Sequence, residues 1–137
     1  MDKANSVRAA LNAAMPDLVT NPEKLKIFAD AGKIVASMAA TDSFDYQYTL
    51  NVILLDFTGD PDFVFLALVK WMRVNQPDML LAVDRRDTAL TYEADFNDDT
   101  SVDLSIKLAL TESVVANADG TVTHVVEPVC DGDVWTN

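Results

Sequence analysis

The stretch SFDYQYTLNVILLDF, residues 43–57, constrains the fold more than any other part of the chain. Phe44, Tyr46, Tyr48, Leu50, Val52 and Leu54 fall on one side of an extended backbone, and Asp45, Gln47, Thr49 and Asn51 on the other. A period of two over that length requires a sheet with one covered face. From Val52 onward Ile53 and Leu55 make the second face apolar too, which predicts cover on both sides at that end. ALTYEADF and SVDLSIKLALTES alternate in the same way across NDDT and predict a hairpin. In it Val102, Leu104, Ile106, Leu108 and Leu110 share one face, opposite Asp103, Ser105 and Lys107. A further pair, SVVANADGTVTHVVEP, pivots on Asp119-Gly120. In LKIFADAGKIVASMAA two short apolar runs flank Asp30, Ala31 and Gly32 and read as a hairpin turn, the Ala-rich second run being open to helix as well as strand.

Two helices supply the cover. GDPDFVFLALVKWMRVNQPD has clear boundaries: Asp60 as cap, Pro61 at the first helical position, Asp62 at the positive end, and Asn75-Gln76-Pro77 as the stop. Asp62, Lys70 and Arg73 mark a polar sector of only about a quarter of the circumference. The remaining arc is wider than the stripe of a helix lying on one sheet, so two surfaces must cover it. The uninterrupted run Phe63–Val69 is far short of the ~20 apolar residues that cross a bilayer. Nearer the start, Val7, Leu11, Ala14 and Leu18 recur at helical spacing, with Asp2 or Asn5 as possible caps and a bend or end near Pro16. DMLLAVDRRDT, with the adjacent Arg85 and Arg86, reads as a solvated loop. The expected architecture is α+β: two main helices packed on a largely antiparallel sheet.

Composition restricts the partners. The 137 residues suit one domain with a real core, and ten Lys plus Arg against 22 Asp plus Glu give −12. That balance argues against a nonspecific grip on nucleic acid or anionic lipid and favours protein partners. The opening MDKANSVRAALNAAM is broken by Asp2, Asn5, Arg8 and Asn12, so it lacks the apolar core of a secretory signal, and synthesis in the cytoplasm is expected. Cys130 is alone and forms no internal disulfide.

Few residues are arranged for chemistry. Asp95, Asn97, Asp99, Ser101 and Asp103 have the every-other spacing of a calcium loop, but Thr100 stands where the turn needs Gly and Ile106 where a bidentate Glu is required. His124 is the single histidine, with no partner for a zinc or Cys-His site, and reads as a strand-surface residue. Asp56 and Asp60 flank a strand-to-helix corner and serve as turn former and cap. No phosphate loop, dinucleotide fingerprint or nucleophile elbow occurs. The expectation is a protein without catalytic, cofactor-binding or metal-ligating residues.

Three segments, TNPEKLKIF, YTLNVILLDFTGD followed by WMRVNQPD, and ADFNDDTSVDLSI, closely resemble the phage tail completion protein R family of contractile-tailed temperate phages. The likeness runs in order from about Ser6 to Pro128. It implies a tail-terminator-like single domain over residues 1–128 with an irregular tail over 129–137. It also implies a virion structural and assembly protein, made in the bacterial host cytoplasm and located in the virion tail. Such a protein caps the head-proximal end of the tail tube and sheath, by analogy as a hexameric ring, and prepares it for head joining. Partners would be further copies of itself, tube and sheath proteins and head or neck proteins, with DNA passing through unbound and no membrane contact. Under that reading Phe65, Leu68 and Met72 are the candidate subunit-interface flank of the central helix, and Asp95, Asn97, Asp98 and Asp99 the candidate lumen- or tube-facing acidic loop. Two alternatives stand beside it: a head-to-tail neck protein, and a small acidic metal- or ligand-binding domain using the Asp cluster.

Overall fold

The computed structural model describes residues 3–38, 41–97 and 100–124. Its centre is an antiparallel sheet of β1 (Leu25–Ala36), β2 (Phe44–Phe57), β4 (Val102–Ala116) and β3 (Leu90–Phe96), in that spatial order, with β5 (Val122–His124) also paired to β4. Helices α1 (Lys3–Ala14) and α3 (Pro61–Asn75) pack against each other over one face. This is the expected α+β class.

The alternation in β2 and β4 orients the sheet. Leu50, Val52 and Leu54 stand opposite Leu108, Ile106 and Leu104 in register, and all six are buried in one core with Val7, Leu11, Val64, Leu68 and Met72. Each such side chain contributes roughly 1.5–3 kcal/mol by leaving water. The other face is polar, as Asp45, Gln47, Thr49 and Asn51 require. No helix or strand among the described residues packs over it, so those residues supply no second layer beyond Val52, although Asn51 on that face is buried among its neighbours. Ile53 and Leu55 are half-buried within the sheet, Ile53 lying opposite Lys26 on one side and Ser105 on the other.

Both ends of α3 are as the sequence dictates. Asp60 Oδ1 accepts from the Asp62 amide at 2.9 Å, Pro61 opens the helix, and the Gln76 amide closes it on Met72 O. At the first helix, α1 ends at Ala14 and a short α2 (Asp17–Thr20) follows Pro16, burying Leu18. Asn5 lies within α1 and is not its cap. A single 3-10 turn, Pro22–Lys24, leads into β1.

Two local expectations are corrected. Residues 25–36 form one strand, not a hairpin. The ladder to β2 shifts between Asp30 and Gly32, with Ala31 at φ 25°, so the supposed turn is a bulge. The long β2 offers hydrogen bonds on both sides of that point, and continued pairing wins over a turn. Likewise DMLLAVDRRDT is not a loop but contains α4 (Pro77–Leu81) and α5 (Arg86–Ala89). Pro77 and Asp78 start α4, while buried Met79 and Ala89 anchor the segment to the core. At the far end of β4, Gly120 takes φ 90° in the turn to β5, as Asp119-Gly120 predicts.

Candidate functional site

The outer side of α3 is the first candidate surface. Val64, Leu68, Trp71 and Met72 turn inward, and the Trp71 indole donates to Ser6 Oγ of α1 at 2.8 Å. Leu68 and Met72 are 0 % exposed. The flank assigned to subunit contact from sequence is therefore corrected: these two residues fill the core, because sheet and α1 together meet that side. Phe65 is half-buried against Tyr92, ring centroids 5.1 Å apart. What remains outside is Phe63 (62 % exposed), Leu66, Val69 and Val74, interleaved with Asp62, Lys70 and Arg73. The helix has more apolar surface than its own monomer covers.

An acidic corner is the second surface. A register shift between Leu54 and Phe57 throws Asp56 out at φ 52°, and its amide donates to Asp103 Oδ1 at 2.8 Å. Asn97 Nδ2 donates to Ser101 Oγ at 2.8 Å, to Asp103 Oδ1 at 3.3 Å and to Asp56 Oδ1 at 3.4 Å. Asp95 stands opposite Asp103 across the β3–β4 ladder. Of the four candidate loop residues, Asp95 is exposed on the strand and Asn97 ties the corner together, while Asp98 and Asp99 lie outside the described residues. Nothing among the described residues groups three acidic, His or Cys side chains as a metal site. His124 is exposed on β5 and Arg85 pairs with Asp78 at 3.7 Å. Cys130 and residues 129–137 also lie outside the described residues.

A third feature carried no signal in the sequence. Gln76, read there only as part of a helix stop, is fully buried in the gap along β4 between Leu90 of β3, opposite Leu108, and His124 of β5, opposite Val114, against the side of β4 at Thr111. Its Oε1 accepts from the Thr111 amide at 3.1 Å and from Lys3 Nζ at 2.6 Å. Its Nε2 donates to Thr111 Oγ1 at 2.7 Å and to Asp78 Oδ1 at 2.9 Å. Lys3 Nζ also donates to Thr111 O at 2.7 Å and to Asn75 O at 3.3 Å. One side chain thus replaces a stretch of missing strand, and a lysine from the first turn locks α1 to it.

Finally, the sheet has two open edges. Among the described residues no strand pairs the outer side of β1 or of β3. Beside the second half of β1, an open groove of about 570 Å³ is lined by Gly32, Lys33, Tyr48, Met79 and Arg85, among others.

These features define the class: a one-sheet α+β domain with an exposed apolar helix flank and an acidic corner. Residues 1–128 match the P2 phage tail completion protein R (GpR) family. A relative, the tail completion protein R of Escherichia phage P2, is 44 % identical over 131 residues, covering 93 % of this chain and 84 % of the relative. The chain belongs to the phage tail completion protein R family, and its role lies in completing a phage tail. No solved structure matches it. No helix among the described residues is long and apolar enough to cross a membrane.

Proposed function

We propose that the protein caps the head-proximal end of the tail tube and sheath as a hexameric ring and prepares that end for head joining. The observation that carries this reading, beside family membership, is the uncovered apolar side of α3. Phe63, Leu66, Val69 and Val74 are exposed on a helix whose opposite side is fully packed. A cyclic ring needs two different patches that meet, and this flank is suited to be one of them. Tube, sheath and head or neck proteins are the further partners in this proposal, and DNA passes through without being held. The net charge of −12 supports that last point, since an acidic wall repels phosphate at short range. The Asp95–Asn97 corner, with Asp98 and Asp99, is proposed to face the lumen or the tube. The one-domain organisation over residues 1–128 is part of the same reading.

Electron microscopy of particles made without the protein is the test. Overlong or uncapped tails are expected, with a six-fold density at the tail end restored by adding it back. Normal tails that fail only to join heads would reassign it to the neck. Calorimetric titration with calcium, magnesium and zinc addresses the ligand-binding alternative, which a single defined micromolar site would favour.

A further inference from the structure

The two open edges of the sheet are matched to each other. Four strands alternate in direction in the order β1-β2-β4-β3, every neighbouring pair being antiparallel, so the two outer strands run oppositely. A second copy placed beside the first by rotation about an axis along the strands therefore brings its β1 against the first copy's β3 in antiparallel sense.

The side chains on these edges are complementary on both faces. Register fixes the faces: Ile34 stands opposite Tyr46, and Tyr92 opposite Ile106, on the helix-covered side of the sheet. Lys33 stands opposite Gln47, and Glu93 opposite Ser105, on the uncovered side. Setting Lys33 of one copy opposite Glu93 of the next places Ile34 opposite Tyr92 at the same time. These are two apolar side chains left 65 % and 61 % exposed in the monomer. Charge is unevenly placed as well: β1 carries Lys26 and Lys33 against Asp30 alone, whereas β3 carries only Glu93 and Asp95. In a chain of −12 a lysine-bearing edge is where an acidic edge can dock.

The bulge sets the length of the contact. Leu25 is buried and Ile27 half-buried, the strand is exposed on both faces from Phe28 onward, and Gly32–Ala36 is the regular stretch on the C-terminal side of the bulge. Beyond the bulge Asp30 would approach Asp95, a like-charge pair that opposes further pairing. We infer that Gly32–Ala36 of β1 pairs with Leu90–Ala94 of β3 in a neighbouring copy, making the ring's subunit contact a continuation of the sheet. This rests on the ring reading above and adds the surface by which the ring closes. The contact is heterologous, the type that generates rings.

The experiment uses the full chain with Cys130→Ser, so that introduced thiols are the only ones. Lys33→Cys and Glu93→Cys are made singly and together, and assembled on purified tails made without the protein and in solution at raised salt. A short bifunctional thiol reagent is then added. The double variant is expected to give a ladder of covalently joined chains, and each single variant to stay uncrosslinked. In parallel, Lys33→Glu should raise the concentration needed for half-assembly about fivefold, and adding Glu93→Lys should restore it. Melting curves verify that each variant folds. Amide exchange on the unaltered protein should show residues 32–36 and 90–94 becoming protected on assembly, independently of any variant. Rings on tails without crosslinks or protection at these strands would overturn the edge pairing and leave the ring intact. Crosslinking of Lys33→Cys alone would mean β1 against β1, and would overturn it too. Failure to form any ring, on tails or in solution, would overturn both readings.

Discussion

Gln76 shows how much one side chain decides. All its polar atoms are bonded, so replacing it leaves the Thr111 amide and hydroxyl without their partner at a buried site and takes one acceptor from the half-buried Lys3 ammonium. Gln76→Leu is expected to destabilise by about 2–4 kcal/mol, read as a lowered urea midpoint with unchanged slope. A loss under about 0.5 kcal/mol would mean water replaces the amide there. The helix cap is a smaller effect: Asp60→Ala removes the bond to the Asp62 amide and should cost about 1 kcal/mol. In the β4–β5 turn the Thr121 hydroxyl and amide hold the Asp119 carboxyl below its ordinary range. A lowered folded value means this support is present above the unfolded pKa and is lost as pH falls through the folded one. Amides of that turn should therefore lose protection, measured against their intrinsic exchange rates at each pH, before the rest of the sheet does as pH falls.

At the scale of elements, α3 has two sides with opposite fates. Leu68→Asp or Trp71→Asp places an unpaired charge in the core, a cost of several kcal/mol against a total stability of about 5–15, and should prevent folding. Leu66→Asp on the outer side should change stability by no more than about 0.5 kcal/mol while reducing tail completion. Equal melting of all three variants would show that the helix is not seated as described. The boundaries of α3 were readable because Asp60, Pro61 and Pro77 act on the local backbone. Which of its apolar residues face inward was not, since Phe63 and Leu68 are equally apolar and only the positions of α1 and the sheet separate them. For the same reason the bulge at Ala31 passed for a turn: local sequence does not reveal that β2 is long enough to pair on both sides of it.

The whole molecule is governed by its charge. Six copies at −12 apiece would place about −72 formal charges in one ring, opposing closure within the ~10 Å screening length at 0.1 M salt. Sedimentation velocity should show mostly monomer in dilute, low-salt buffer, shifting to a closed ring as salt or millimolar magnesium is added. A stable hexamer at low salt would show that the apolar flank and the edge strands outweigh repulsion. Replacing Asp98 and Asp99 by Asn should leave the melting temperature unchanged and ease assembly. Unfolding of that double variant would contradict the hairpin-tip reading of NDDT drawn from the sequence.

The sequence alone determined the α+β class, the strands from Phe44 and Val102, the ends of α3, the Asp119-Gly120 turn and, through its resemblance, the family. Each rests on a signal repeated along the chain or confined to a few adjacent residues: alternation, capping, turn chemistry, ordered motifs. Tertiary structure decided the rest. It put Leu68 and Met72 inside and Leu66 outside, kept β1 whole, turned the expected loop into two short helices, set both main helices on the same face of the sheet and gave Gln76 the place of a strand. These outcomes depend on which surfaces meet across tens of residues of intervening chain, and the sidedness of a contact is a property of the assembled layers that no local pattern carries.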